Sequence, residues 1–517
     1  MQKHRSFPKR LPWFMGIDLG TGSCKALVVD EQAAVLGFGA GEYGGVQGRW
    51  QEQDPRGLVE AVTASVRKAV EEAGVAPGDC AGLSMGGALH SVMAVDRGGH
   101  PLTGVITWAD GRAVRQSEAL RKSSMAGRLY RETGCPVHGM YPLYKILWLR
   151  ESLPEVFRKA RRYLSAKEYV FHRLTGEYVI DYSLAAGSGL LNTHSLQWSD
   201  LALDLAGIRK EQLSSLCSPR TIHGRLRSDL AREMGIPVRT PVVVGSSDAA
   251  NSSLGAGAVT ARQATCMVGT SGALRVISPR PVLDERGRSW CYAIDPQHWL
   301  VGGAINNGGV ALSWLRDLLN RAFPHLPPRA ALTFEDVVEL AGRVGPGAGG
   351  VICLPFFAGE RSPNWNLNAR AAFFGMTLDH DARHLARSLL EGIAFRFRSL
   401  NEMLTEIGVE ATQVIASGGF TKSNLWVQVI TDALNRKLVV PVWGETSSLG
   451  AAFWAMLGAG KVDSIEGFRD YVPLGKTYRP NRKDVAVYDR VYPIYARLYR
   501  ALEGSFDEVA ELQRDLI

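Results

Sequence analysis

Apolar and polar positions begin to alternate in a regular way near residue 13. Trp13–Asp18, Cys24–Asp30 and Val35–Phe38 are short apolar runs separated by Gly-Thr-Gly-Ser and Glu-Gln-Ala-Ala, which predicts a meander of β-strands. Asp54-Pro55 then offers a helix cap followed by a proline at the first helical position. Leu58, Val62, Val66 and Val70 recur on one face until Gly74 ends the pattern. Strands are expected again at Ala81–Met85 and Val92–Val95, and strands alternating with amphipathic helices predict an α/β fold. From residue 264 the scheme restarts. Ala264–Val268, the turn Gly269–Gly272 and Ala273–Ser278 repeat the opening hairpin, with Gly269-Thr270 standing where Gly20-Thr21 stood. Leu385, Leu389, Ile393, Phe397, Leu400 and Leu404 then mark a long helix ending near Gly408. A strand at Gln413–Ala416, a helix from Ser423, a strand at Lys437–Val442 and a helix from Ser448 complete the second half. The glycine-rich run at 345–350 reads as a loop, because the apolar stretch Val351–Phe357 follows it at once. The simplest organisation is a basic tail over 1–12, one α/β domain over 13–260 and a second, related one over 261–517.

Composition narrows the class. The chain has 517 residues, 46% of them hydrophobic and 21% charged, which suits two or three globular domains. Lysine and arginine exceed the acids by 59 − 51 = 8, and Lys3, Arg5, Lys9 and Arg10 of the tail supply half of that excess. The rest of the chain is nearly balanced, so a dedicated nucleic-acid binder is not expected. Seven scattered cysteines without C-x-x-C spacing argue for reduced thiols rather than a disulfide framework or zinc site. No stretch reaches membrane-spanning length, and Leu11–Ile17 is too short and interrupted for a signal-peptide core. A cytoplasmic enzyme is the expectation.

Four segments carry candidate chemistry. In Met15–Lys25 a strand ends in Asp18 and turns through Gly20, Thr21, Gly22 and Ser23 into a strand bearing Lys25. Such a turn can direct backbone amides and hydroxyls at phosphate oxygens, with Asp18 holding magnesium; a plain hairpin explains the same residues. The second turn at Gly269-Thr270 strengthens the phosphate reading, since two hairpins can grip one polyphosphate. In Val242–Ala250 a buried-looking strand runs into Gly-Ser-Ser and places Asp248 at the mouth of the sheet. A carboxylate there can accept a proton from an attacking hydroxyl, or it can simply cap the following helix. His90, Trp108, Asp110 and Arg112 form a third group able to bind polyol hydroxyls or a carboxylate, or to make a structural salt bridge. Gly418-Gly419 after the strand at 413–416 permits close approach of a flat ring, or serves a turn.

Taken together and in this order, Asp18–Lys25, Trp108–Arg112, Asp248, Gly269–Gly272 and Gly418–Gly419 resemble the FGGY carbohydrate kinases, over residues 13 to about 490. Thr133–Leu149, Tyr163–Gly176, Gly302–Gly309 and Gly359–His380 are similar to the gluconokinase branch. The resemblance implies two ribonuclease-H-like domains of the actin and hexokinase type around a deep cleft. It implies Asp248 as catalytic base, Asp18 as the magnesium residue, and Gly20, Thr21, Ser23, Lys25, Gly269 and Thr270 around the phosphates of ATP. It also implies Gly418 and Gly419 at the adenosine, and His90, Trp108, Asp110 and Arg112 at the sugar. Two departures stand out: Gly22 and Cys24 replace customary hydroxyl residues, and the sugar tripeptide reads Ala88-Leu89-His90 where Ala-Met-His is usual in gluconokinases.

The expected reaction is transfer of the ATP γ-phosphoryl group, with Mg²⁺, to a terminal hydroxyl of D-gluconate. Arg112, Lys145 or Lys167 would offset the acid's charge. Pentuloses or other polyols are the alternative acceptors, and an actin-like ATPase switch without any acceptor is the rival class. The expected partners are ATP and a small sugar acid or sugar, with no nucleic acid or membrane, and a homodimer is kept open.

Overall fold

The structure is a computed structural model that describes residues 12–43, 51–223, 225–321 and 331–516. All but the last residue of the basic tail expected at 1–12 therefore lie outside the described residues. β1 (Trp13–Leu19), β2 (Ser23–Asp30) and β3 (Val35–Glu42) form the expected antiparallel meander. α1 (Pro55–Ala73) follows, with the Asp54 carboxylate accepting from the amides of Arg56 and Gly57, and Gly74 closing it at φ 61°. The helix lies directly on the meander. A Cβ at Gly39 would sit 2.1 Å from Ser65 O, so the strand must be bare there for the helix to approach. β4 (Cys80–Gly87) returns parallel to β1. A long insertion follows, containing α2 (Pro142–Ser152) and α3 (Ala166–Thr175). β5 (Val242–Val243) then joins the far edge parallel to β4, giving the order β5-β4-β1-β2-β3. α4 (Asp248–Gly255) leaves that edge.

The second half contains β6 (Gln263–Val268), β7 (Gly272–Ser278), β8 (Trp290–Asp295), β9 (His298–Ile305) and α5 (Gly309–Arg321). α6 (Ala382–Glu406), β10 (Gln413–Ser417), α7 (Asn424–Leu434), β11 (Lys437–Pro441), α8 (Thr446–Gly458), β12 (Leu474–Tyr478) and α9 (Arg482–Asp515) follow. Its sheet runs β8-β9-β7-β6-β10-β11-β12. The five central strands, β9-β7-β6-β10-β11, match β3-β2-β1-β4-β5 in order and in every pairing direction. The hairpin similarity read from sequence is thus the visible part of a whole repeated unit.

Helix starts predicted from caps hold well: Ser423 caps α7 through the Trp426 amide. The apolar run 351–357 is strand only over Ile352–Leu354, because Pro355 has no amide to continue the ladder. The halves meet where α4 crosses α8. A Cβ on Gly255 would lie 1.9 Å from Thr446 O and one on Gly450 would lie 2.0 Å from Asn251 O, so the two backbones touch. α8 also packs on β1, where Gly16 leaves room for Ser448 O. Among the described residues no helix is long and apolar enough to cross a membrane.

Candidate active site

Three chain segments end at the same edge of the first sheet. Asp18 pairs with Gly86, Gly87 bridges to Ser247, and the Ala88 amide donates to Leu19 O at 2.9 Å. The C-terminal ends of β1, β4 and β5 therefore present Asp18 and Asp248 together. Ser247, not Asp248, caps α4, since its hydroxyl accepts from the Ala250 amide at 3.2 Å. Asp248 Oδ1 instead accepts from the amides of Ala249 at 2.7 Å and Leu89 at 3.3 Å, which fixes the carboxylate at the sheet mouth. Burial pushes Asp248 above the usual carboxylate range, while the Arg275 guanidinium and these amides pull the other way. Burial, and then the Asp248 charge, push Asp18 up to about 6. Its Oδ1 is shielded from solvent without a well-formed hydrogen bond; the Ser447 hydroxyl beside it and Lys25 favour the ionised form.

The first turn is braced from outside. The Gly20 amide donates to Ser23 O at 3.1 Å, Tyr43 Oη donates to Gly20 O at 2.7 Å, and Gln53 Nε2 donates to Thr21 O at 2.6 Å. Trp108 Nε1 donates to Thr21 Oγ1 at 3.0 Å, so the phosphate and sugar candidates share a hydrogen bond. Lys25 Nζ lies 2.7 Å from Glu445 Oε2, an ion pair that joins β2 to the residue before α8. Cys24 is buried and its thiol is pushed up to about 12, so it is no ready nucleophile.

In the second turn the Gly309 amide, at the start of α5, donates to Gly269 O at 2.7 Å. Gly269, Thr270, Gly309, Gly419, Phe420 and Trp426 line one cavity of about 840 Å³, a size that holds a nucleotide. Gly418 turns at φ 95° with Val268 O only 2.4 Å from the place a Cβ would occupy. Sequence reasoning thus named the turns of this cavity, with Phe420 in the segment Gly418-Gly419-Phe420, but not Trp426.

Of the residues expected at the sugar, His90 is held at φ 68° and donates from Nδ1 to Gly187 O at 2.6 Å. Burial drives it down to about 3, so the ring is neutral and Nε2 is left as an acceptor. Asp110 and Arg112 are bound to each other: Arg112 Nε and Nη2 each lie 2.8 Å from a different Asp110 oxygen. Arg112 also reaches Glu52 at 2.7 Å and lies over the Trp148 ring, while Asp110 accepts from the Gln51 amide. The salt-bridge reading of this pair is the one the geometry supports. The other cations expected to face an acid are engaged as well. Lys145 Nζ on α2 donates to His90 O and Thr107 O, both at 2.7 Å, and burial brings it down to about 7. Lys167 on α3 is paired with Asp181 at 2.7 Å.

Sequence reasoning missed Arg275 and Arg361. The signal was present for the first, a lone charge in the apolar strand GALRVIS. It also missed the Tyr141–Tyr292 hydroxyl pair at 2.7 Å beside the His90 ring.

Comparison with known proteins agrees with this geometry. The model of the FGGY family of carbohydrate kinases, N-terminal domain, matches residues 13–255, and that of the C-terminal domain matches 264–459. A gluconokinase of Bacillus subtilis (strain 168) is 37% identical over 98% of this chain and 99% of its own length. The crystal structure of gluconate kinase from Lactobacillus acidophilus superposes with TM-score 0.90 and 31% identity, covering 96% of this chain and all of that one. The ligand-bound xylulose kinase from Lactobacillus acidophilus gives TM-score 0.91 at 31% identity, with the same coverage. With two repeated sheets, a nucleotide-sized cavity and paired carboxylates at one sheet edge, the chain belongs to the FGGY family of carbohydrate kinases.

Proposed function

We propose that this carbohydrate kinase transfers the terminal phosphoryl group of ATP to the 6-hydroxyl of D-gluconate, giving 6-phosphogluconate and ADP. The observation that carries the chemistry is Asp248, a carboxylate fixed at the sheet mouth by two backbone amides and held above its ordinary pKa by burial. A base tuned upward is better matched to taking a proton near neutral pH. Its role is to accept the hydroxyl proton while that oxygen bonds to the γ-phosphorus and the bond to the ADP oxygen breaks. The choice of gluconate rests on the Bacillus subtilis gluconokinase and the Lactobacillus acidophilus gluconate kinase.

The remaining roles follow the same reading. Gly20, Thr21, Ser23 and Lys25 contact phosphate oxygens from one side, and Gly269 and Thr270 from the other. Gly418 and Gly419 flank the adenosine. His90 and Trp108 face the acceptor, while Asp110 and Arg112, tied to each other and to Glu52, hold the segment that carries Trp108. The orphaned Asp18 Oδ1 is a hard oxygen donor suited to magnesium, so Asp18 would hold Mg²⁺, which when bound offsets phosphate charge. Seven free thiols suit a cytoplasmic setting. Positioning and electrostatics carry most phosphoryl transfer, so exclusion of water from this edge protects ATP from hydrolysis.

The test is a coupled ADP-release assay across D-gluconate, D-xylulose, D-ribulose, glycerol and erythritol. The expected result is a kcat/KM for gluconate at least roughly tenfold above any other, one factor of ten being the discrimination of a single good contact. A tenfold preference for a neutral ketose rejects gluconate, and rapid ADP release with no acceptor present rejects the kinase mechanism.

A further inference from the structure

A sugar acid brings a carboxylate into the site, and a carboxylate leaving water needs a cation with donors to spare. Arg112, Lys145 and Lys167 do not meet that need. The first already holds two carboxylates, the second donates to two carbonyls and the third holds Asp181.

Two arginines of the second half do. Arg275 projects from β7 toward α4, where Nη1 reaches Ala249 O at 3.3 Å, next to Asp248. Arg361 follows the loop residue Glu360, donates from Nη2 to Ile305 O at 2.9 Å and lies over the Trp108 ring at 5.1 Å. Both side chains are more than nine-tenths buried, and Nε of each has no hydrogen-bond partner among the described residues. Their charges are poorly balanced. Glu360, the carboxylate nearest Arg361, is itself paired with Arg396 and accepts the amides of Asn306 and Arg361. The carboxylate that most favours the charge on Arg275 is Asp248, the group assigned to the reacting hydroxyl. The charge of Arg361 disfavours that of Arg275, and both charges are felt at Tyr292, whose hydroxyl meets Tyr141 beside His90. Two buried cations, each with an Nε–H unpartnered among the described residues, therefore lie near the residues expected at the acceptor, Arg361 over Trp108 and Arg275 on Ala249 next to Asp248.

We infer that Arg275 and Arg361 form the anion site that selects a carboxylate-bearing acceptor. A carboxylate accepting from the two free Nε–H groups satisfies both donors and relieves the repulsion between the guanidinium groups. The inference rests on the sugar-acid reading above. It also makes selection depend on the second half, while the reacting aspartate belongs to the first, so an acid acceptor ties the two halves together.

The experiment compares D-gluconate with D-gluconamide, the same chain with a neutral head group, in the parent protein and in Arg275→Gln, Arg361→Gln, Arg275→Lys and Arg361→Lys. Thermal melting with and without ATP reports folding and the nucleotide site. Each Gln variant is expected to lose roughly 10²–10³-fold in kcat/KM for gluconate, mostly through KM, as expected for truncating one partner of a buried charge pair. For gluconamide the change in Arg361→Gln is expected to stay within roughly fivefold; Arg275→Gln also removes a charge that favours ionised Asp248, so its kcat falls on both acceptors and the excess loss on gluconate is what counts. Each Lys variant should recover part of the gluconate loss. If a Gln variant does not melt cooperatively, the Lys variant decides by the same comparison, with a smaller loss confined to gluconate. Retained preference for gluconate in the variants overturns the inference. So does an equal loss on both acceptors, which would place the arginines at the phosphate or in the fold. A parent protein that uses neither acid nor amide but a neutral ketose instead defeats the gluconate reading itself, a distinct result.

Discussion

Asp248→Asn separates the chemistry from the scaffold. The amide keeps the shape of the carboxylate, and its oxygen still accepts from Ala249 and Leu89, while Ser247 continues to cap α4. What disappears is the proton acceptor of the proposed mechanism. Loss of a general base costs roughly 10²–10⁴ in kcat, or about 3–5 kcal/mol on the barrier. Stability moves little, because two effects oppose. Asp18 loses a neighbouring negative charge that helps push it up, and Arg275 loses the Asp248 charge that favours its own. The net change is expected to lie within about 1 kcal/mol, the usual range for a replacement without a cavity or broken cap. The assay is steady-state ADP release with gluconate from pH 5 to 9, beside ATP-dependent thermal stabilisation. In the parent, activity should fall on acidification through a pKa above the ordinary carboxylate range, since the base works only when ionised. The part of that limb due to Asp248 should be absent from the variant, leaving only a fall from Asp18, which is raised to about 6 in the parent. Activity within a few-fold of the parent refutes the reasoning, as does ATP binding lost in parallel with turnover.

Further expectations concern the surrounding groups. Asp18 is raised from 3.8 to about 6, so the folded state binds its proton more tightly and stability falls as pH rises through that window. Asp18→Asn should remove this slope and gain up to about 3 kcal/mol at pH 7, an upper bound because Asp18 keeps partial exposure; equal denaturant midpoints for both proteins at pH 4 and 7 would contradict it. The Lys25–Glu445 pair is about one-third exposed on each side, so Glu445→Gln should cost no more than about 1 kcal/mol. The same substitution frees Lys25 and should lower KM for ATP, whereas Lys25→Met should raise it; unchanged values in both would remove Lys25 from the phosphate site. Gly418→Ala forces a Cβ against Val268 O at φ 95° and should destabilise by about 1–3 kcal/mol while weakening ATP binding, read by melting with and without nucleotide. Cys24 should resist iodoacetamide at pH 8 in the folded protein, and rapid labelling would show that its burial is transient.

Much of the fold was legible along the chain because its signals are local. Apolar period, Asp54-Pro55, Ser423 and the glycine turns each act within a few residues, and they located both opening hairpins, α1, α6 and α7. The repeat was only hinted at by two four-residue turns. Its reality lies in strand order, which depends on pairings such as Gln263 with Gln413, between residues far apart in sequence.

By itself the sequence determined where the turns, strand ends and carboxylates fall, since φ preferences, proline and periodic burial are properties of neighbouring residues. Only the tertiary structure decided which charges remain available. Arg112 is engaged by Glu52, Lys167 by Asp181, Lys25 by Glu445, and Asp248 is spared from capping by the adjacent Ser247. Arg275 and Arg361, by contrast, are both buried, each with an Nε that has no hydrogen-bond partner among the described residues. An ion pair needs a few ångströms of separation and a shared exclusion of water, and the fold rather than the order of residues sets both.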